Sequence, residues 1–302
     1  MTNVLIAGGT GVIGTEISKL LLANNYNVSF LSRKKTVEKN CFFWDLDKEI
    51  IDIKSFENVD TIINLTGANI SSHNWTNSFK NEILSSRINS AKLIYKTLSE
   101  NNIKINTYIS ASAIGYYGTF TSDTIFTENS PCGKDFLSDV CSKWEANAIK
   151  FNDLNIRTVI LRQGVVFTQN GGAFQKMTDT FKNGLGAVLG TGNQYIPWIH
   201  ISDNANIFKF VIENKDLSGI YNCVAPEHIT NKELTHKIIH KLNKKIKIPN
   251  IPAFALKMRF GEMSSIILEG SRVSSEKLIN QNFKFKFEKI DTALEDLMNI
   301  KL

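Results

Sequence analysis

No run in this chain approaches the ~20 consecutive apolar residues needed to cross a bilayer, so a membrane-spanning role is not expected. Cysteine is sparse. Cys41, Cys132, Cys141 and Cys223 are scattered through 302 residues without C-x-x-C spacing. They read as reduced thiols, and no metal site is expected. Excess charge of one sign is also small. The net charge of +6 gathers at 237–247 (KIIHKLNKKIK), which has no aromatic platform and no nucleic-acid motif. That segment reads as a solvated helix face and loop, and nucleic acid is not an expected partner. No internal repeat or low-complexity stretch occurs. The first strand begins by residue 3, which leaves no room for a signal or transit peptide and makes the cytoplasm the expected location. Apolar residues at 42% and charged residues at 21% match a soluble globular protein, large enough for one large domain or two smaller ones.

The most informative segment is the first one. Val4-Leu5-Ile6-Ala7 reads as a buried strand, and Gly8, Gly9, Thr10, Gly11, Val12, Ile13 and Gly14 follow. Apolar residues at Ile17, Leu20, Leu21 and Leu22 then mark a helix. Strand, glycine turn and helix make a dinucleotide phosphate cradle. Gly8 permits the tight turn, Gly11 admits a pyrophosphate, and Gly14 lets the helix pack closely. The helix N-terminus offers unpaired N–H groups and partial positive charge.

Strands are expected at 27–31, 61–65, 107–112 and 157–161, with helices at 85–100 and 136–151 between them. This alternation predicts an α/β fold, a Rossmann-like doubly wound parallel sheet with right-handed crossovers. Residues 1–165 are expected to form the cofactor domain, rejoined by 196–225, with WIHISD (198–203) returning to the sheet. The glycine-rich stretch after Arg162 opens a smaller α+β substrate-side domain, 166–302, with helices near 231–242 and 290–298.

The residue after the second strand discriminates between cofactors. An acid there binds a ribose 2′-OH, whereas an arginine accepts a 2′-phosphate. Here the strand runs into Ser32-Arg33-Lys34-Lys35 without an acid, and Arg33 stands about 20 positions beyond Gly14. Its guanidinium can pair bidentately with phosphate and Ser32 can add a hydrogen bond, so NADP(H) is expected over NAD. Asp45 could touch the adenine or serve as a plain loop acid.

Together these residues resemble the extended and atypical short-chain dehydrogenase/reductase superfamily. The matching motifs are Gly8-x-x-Gly11-x-x-Gly14, Leu65-Thr66-Gly67-Ala68, 110–118 (SASAIGYYG), Leu161-Arg162-x-Gly164-Val165-Val166 and Trp198-Ile199-His200-x-x-Asp203. Within it the chain is most similar to a sugar-nucleotide epimerase branch shared by bacteria and animals. Trp75, Ser86-Arg87-Ile88, Phe136-Leu137-x-x-Val140-Cys141-x-x-Trp144-Glu145 and the tail from Gly261-Glu262-Met263 to Leu268-Glu269-Gly270 carry that likeness. It spans nearly the whole chain and implies an NADP-type cofactor with a second domain over the nicotinamide. Leu65, Thr66 and Gly67 would join Thr10, Val12 and Ile13 along the cofactor.

The superfamily's chemistry uses a Ser or Thr, a Tyr and a Lys four residues after the Tyr. Lys143 matches the lysine, but Asp139 stands at the tyrosine position, and no tyrosine occurs between Tyr117 and Tyr195. Ser112 matches the serine when aligned from Ser110; aligned from the Tyr-Gly end, Ala113 takes its place. Tyr116 or Tyr117 could replace the missing hydroxyl, or the two could be a packed aromatic pair. Arg87, Arg162, Gln194, Trp198 and His200 are the candidate substrate residues. Arg87 could hold an anionic substrate group or form a helix-surface ion pair, Arg162 could instead brace its strand, and His200 could be a satisfied structural histidine. Glu262 and Arg272 are expected to form bracing salt bridges. Asn282 replaces the family's usual glycine before Phe283 and leaves that turn in question. The expected function is NADP-dependent oxidation, reduction or epimerisation of a small polar substrate, with a nucleotide sugar as one candidate, by a monomer or homodimer. The rival is an NADP-binding sensor or scaffold without turnover.

Overall fold

Buried β-branched and aromatic runs alternate with helices along the whole chain, and the computed structural model describes residues 2–34, 40–245 and 248–298. In chain order the first elements are β1 (Asn3–Ala7), α1 (Val12–Ala23), β2 (Asn27–Ser32), β3 (Cys41–Asp45), β4 (Ile50–Ile51), β5 (Thr61–Asn64) and α2 (Asn77–Glu100). The middle of the chain gives β6 (Thr107–Ala113), β7 (Ile125–Phe126), α3 (Phe136–Ile149), β8 (Arg157–Gln163) and β9 (Val165–Phe167). Then come α4 (Gly172–Lys182), β10 (Trp198–His200), α5 (Ile201–Glu213), β11 (Gly219–Cys223) and α6 (Asn231–Lys241). The tail holds α7 (Ala253–Phe260), α8 (Ser265–Leu268), β12 (Arg272–Val273), α9 (Glu276–Asn280) and α10 (Ile290–Leu297).

Eight strands form one sheet in the order β11-β8-β6-β5-β1-β2-β3-β4. All pairings are parallel except that of β3 with β4. The order reverses between β1 and β5, and such a switch point opens a crevice at the carboxyl ends of the strands. The expected doubly wound sheet is therefore present. One expectation is corrected: Trp198–His200 pairs with β9 in a separate two-stranded sheet, and Gly219–Cys223 is the strand that returns, beside β8. The helix expected from residue 85 begins at Asn77, because Thr76 caps it by accepting the N–H of Phe79.

Apolar cores cover both faces of the sheet. One gathers Val4, Ile6, Ile17 and Phe208, and it extends into the tail through Leu278, Phe283 and Phe285. The opposite one gathers Leu5, Ile62, Tyr108 and Phe151. A third core, with Phe167, Phe174, Trp198 and Leu294, joins α4, α6 and α10 beside β9 and β10. The turn before Phe283 forms because Asn282 adopts φ +67°, a left-handed conformation that asparagine tolerates. Lys237 and Lys241 of the basic segment pair with Asp291 and Glu295 of α10, while Lys247 lies outside the described residues. Among the described residues, no helix is long and apolar enough to cross a membrane, and no cluster of potential ligands could hold a metal ion.

Candidate functional site at the carboxyl edge of the sheet

The three glycines after β1 differ in what they make possible. Gly8 has φ +80°, and a Cβ there would lie 3.0 Å from the carbonyl carbon of Leu65. At Gly14 a Cβ would lie 2.6 Å from the Gly8 oxygen, so only glycine lets α1 approach the turn this closely. Gly11 is unlike both. Its φ of −74° suits any residue, and a Cβ would meet only the Gly8 oxygen, at 3.4 Å. Gly11 thus keeps open the space outside the helix N-terminus rather than space within the protein. That end of α1 has no side-chain cap and no acid in its first turn. Its free N–H groups and dipole face exposed Thr10, Gly11 and Val12, with Ile13 half-buried behind them.

Two neighbouring strand ends flank this cradle. At the end of β2, Ser32 accepts the Lys34 N–H at 3.1 Å, and Arg33 is exposed. Among the described residues no carboxylate pairs with Arg33; Lys35 lies outside them. After β3, Asp45 accepts the N–H groups of Asp47 and Lys48, each at 3.1 Å, and so closes a local turn. After β5, the Leu65 N–H donates to Ala7 and carries the loop alongside β1. Thr66 follows, its hydroxyl buried without a partner, and then exposed Gly67, against which the Arg87 guanidinium lies.

Beyond β6 the candidate hydroxyls part company. Ser112 is buried and donates to Glu145 Oε1 at 2.6 Å. Tyr117 is buried and donates to Asn222 Oδ1 at 2.6 Å, while it accepts from Arg162 Nη1 at 2.9 Å. Burial pushes its hydroxyl up to about 12, although the Arg162 charge opposes this. Arg162 completes the set with two bonds to Glu145, and Asn222 continues it to the tail by donating to the Ser274 carbonyl. Burial disfavours the Arg162 charge, but the Glu145 carboxylate outweighs that effect and holds the guanidinium above its ordinary pKa. Ser112, Glu145, Arg162, Tyr117 and Asn222 are therefore one buried polar network joining β6, α3, β8 and β11. Tyr116 stands outside it. Its ring is half-buried over the Arg162 guanidinium, 3.4 Å from ring centre to Cζ, and its hydroxyl bonds to none of the described residues. Lys143 is half-exposed on α3 and pairs with Asp139 at 2.7 Å.

Gln194, Trp198 and His200 lie inside. Gln194 donates to the carbonyls of Leu189 and Ile267, and the Trp198 indole donates to Glu227. His200 caps α5 by accepting the Ser202 N–H, rests against Phe287, and has Nε2 3.2 Å from Asp296. Burial pushes it down to about 4, with the Asp296 carboxylate opposing. The tail crosses nearby as a strap. β12 pairs with β7, Thr121 donates to Glu269, and Glu262 and Arg272 pair with Lys80 and Asp123.

Sequence reasoning passed over Glu145 and Asn222 as site residues. Glu145 had a readable signal. The inward positions of α3 include Leu137, Cys141, Trp144 and Ala148, and a carboxylate among them requires an internal cation. Asn222 carried no comparable signal, because its partners are distant in the chain.

Comparison with known proteins bears on this arrangement. The model of the NAD dependent epimerase/dehydratase family matches residues 4–223, and a domain of unknown function, DUF1731, matches 251–297. The epimerase family protein YfhF of Bacillus subtilis is 32% identical over 300 residues, covering 98% of each chain. The mouse epimerase family protein SDR39U1 is 32% identical over 98% of this chain and 99% of its own. A crystal structure of human SDR39U1, isoform 2, with NADPH superposes with a TM-score of 0.89 at 31% identity, covering 99% of this chain and 100% of the human one. A nucleoside-diphosphate sugar epimerase from Corynebacterium glutamicum superposes at 0.81 with 26% identity, over 98% of this chain and 58% of that one. The family match over most of the chain, the relatives alike from end to end and the glycine cradle at the switch point agree: this chain belongs to the NAD dependent epimerase/dehydratase family.

Proposed function

We propose that the protein binds NADPH along the carboxyl edge of β1, β2 and β5 and uses it in a redox reaction, or a redox-assisted epimerisation, of a small polar substrate. The observation that carries this reading is Gly11, whose missing side chain keeps clear a space bounded by uncapped helix N–H groups. A pyrophosphate fits that cradle in charge and in donor set. Arg33, exposed just after β2, takes the 2′-phosphate in this reading, which its exposure and the NADPH-bound human relative support.

When bound, the cofactor supplies or accepts a hydride at its nicotinamide. The chain's own residues bind, orient and move the proton. Tyr116 is the hydroxyl for that last task, because those of Ser112 and Tyr117 are bonded within the buried network. Ser112 and Tyr117 then act as positioning residues that hold the loop after β6. Lys143, half-exposed on α3, holds a ribose hydroxyl in exchange for Asp139. The second reading, an NADPH-dependent sensor or scaffold, draws on one specific observation: Asp139 stands where the superfamily places its tyrosine.

Fluorescence titration with NADPH and NADH tests the binding claim. NADPH is expected to bind more tightly, and Arg33→Ala should weaken NADPH about 10- to 150-fold while leaving NADH unchanged, since a charge-assisted contact contributes ~1.5–3 kcal/mol. Absence of binding by both nucleotides would overturn it. Binding without oxidation of NADPH across a screen of polar carbonyl compounds and nucleotide sugars would favour the sensor.

A further inference from the structure

Two arginines lie near the carboxyl edge of the sheet, Arg162 buried and Arg87 half-buried, and they are paired in opposite ways. Arg162 has Glu145 as a bidentate counter-ion. Arg87, on α2, has no carboxylate partner among the described residues. Its Nη1 donates to the Ile83 carbonyl at 2.8 Å and its Nη2 to the Ala68 carbonyl at 3.2 Å. A guanidinium carries five N–H groups, so about three remain for another acceptor. Burial lowers its pKa, the expected effect of removing a cation from water without a counter-charge. The nearby Cys141 thiol does not supply that charge, since burial pushes it up to about 12 and keeps it neutral.

The surroundings also hold unpartnered polar groups. Arg87 lies over the Trp144 ring at 5.0 Å, and the Trp144 indole N–H is buried without a partner. The Thr66 hydroxyl, at the near side of the same loop, is likewise buried and unpartnered. Gly67 follows Thr66 and is exposed, and a Cβ there would lie 2.9 Å from Arg87 Cζ. The glycine lets the guanidinium lie close against the loop. A half-buried cation with unused donors, beside an unpaired indole N–H and an unpaired hydroxyl, suits an oxyanion.

We propose that Arg87, with Trp144 and Thr66, forms an oxyanion site beside the cofactor cleft, and that the substrate carries a carboxylate or phosphate which docks there. This rests on the NADPH reading for the identity of the cleft, and it narrows the substrate from small and polar to small and anionic. A planar fork suits a bidentate carboxylate or phosphate better than a lysine would.

The test uses the full chain, nitrogen-15 labelled, with and without saturating NADPH. It is titrated with sodium malonate and with inorganic phosphate at constant ionic strength, with sodium chloride as the reference salt. The indole N–H resonance of Trp144, assigned from Trp144→Phe, is expected to shift saturably with malonate or phosphate and not with chloride. Arg87→Gln should weaken that binding at least tenfold, and Arg87→Lys should fall between the two. Gly67→Ala, which displaces the guanidinium without removing it, should also weaken it. Equal shifts in all salts, or the same binding in Arg87→Gln, would overturn the proposal. So would a shift of this resonance by NADPH alone that Arg87→Gln abolishes together with NADPH affinity, since the anion would then be a cofactor phosphate. Failure of NADPH to bind, read separately by nicotinamide fluorescence, would strike the cofactor reading, while the anion titration without nucleotide still reports on Arg87.

Discussion

Glu145 and Arg162 meet through two hydrogen bonds, Nε to Oε1 and Nη2 to Oε2, each 2.8 Å long, with neither side chain more than 5% exposed. The pair fastens α3 to β8, one strand in from the sheet edge, and through Ser112 and Tyr117 it fixes the loop that presents Tyr116. Such a pair is costly to break from one side, because the remaining charge stays buried and unmatched. Arg162→Met or Glu145→Leu alone should therefore destabilise the protein by about 3–5 kcal/mol. The double substitution should cost less than the sum of the two. Urea unfolding of the three variants checks this, and additive losses would refute the coupling.

Gly11 and Gly14 give a matched pair of tests. Gly11→Ala introduces a Cβ that the protein itself accommodates, so the melting temperature should stay within a few degrees while NADPH affinity falls at least tenfold. Gly14→Ala presses a Cβ to 2.6 Å from backbone, so it should lower the melting temperature whether or not nucleotide is present. Calorimetry with and without NADPH separates the two effects. An unfolded Gly11→Ala variant would show that the glycine serves the fold rather than the ligand.

The neighbouring tyrosines should respond in opposite ways to loss of the hydroxyl. Tyr117→Phe leaves Asn222 and one Arg162 N–H without a buried partner and should cost about 1–3 kcal/mol of stability. Tyr116→Phe removes a hydroxyl that bonds to nothing described and should barely change stability. With a reducible substrate in hand, Tyr116→Phe should reduce turnover at least 100-fold, the scale of a lost general acid. Unchanged turnover would remove Tyr116 from the proposed chemistry.

Acid should weaken the fold through His200. An unfolded histidine titrates near 6.5, whereas burial holds His200 at about 4. Between those values the unfolded chain binds the extra proton, so the contribution is complete above about pH 6.5 and is lost as pH falls towards 4. The loss should be about 2–3 kcal/mol. His200→Asn keeps a side chain able to cap α5 and removes the titration, so its stability should vary less with pH over that window. Chemical denaturation at several pH values measures both slopes. Parallel slopes would assign the acid sensitivity to other groups.

What could be read beforehand divides along the distance between partners. Strand, glycine turn and helix form within the first 23 residues, so Val4 to Ala23 already contain the cradle's logic, and the strand–helix alternation implies the parallel sheet. Arg33 is legible because its role depends only on its distance from Gly14. The network is not local in that way. Ser112 meets a residue 33 positions on, and Tyr117 one 105 positions on. From sequence alone Ser112 and Tyr117 look like free hydroxyls, because their acceptors are brought to them only by the sheet. His200 misleads for a related reason: a histidine before a helix can be a cap as readily as an acid or base, and only the packing of Phe287 and Asp296 around it shows how dry it is.

The Asn222 bond to the Ser274 carbonyl has a consequence in time. In a chain made from its N-terminus, Gly8 and the Leu65 backbone that it lies against have both emerged before β6 is made. The loop bearing Tyr116 and Tyr117 must wait. Its strap arrives with β12, and the sheet's own core stays incomplete until Leu278, Phe283 and Phe285 fold back onto it. The loop bearing Tyr116 and Tyr117 and the apolar core behind β1 and α1 are therefore completed by the same late event, the arrival of the tail.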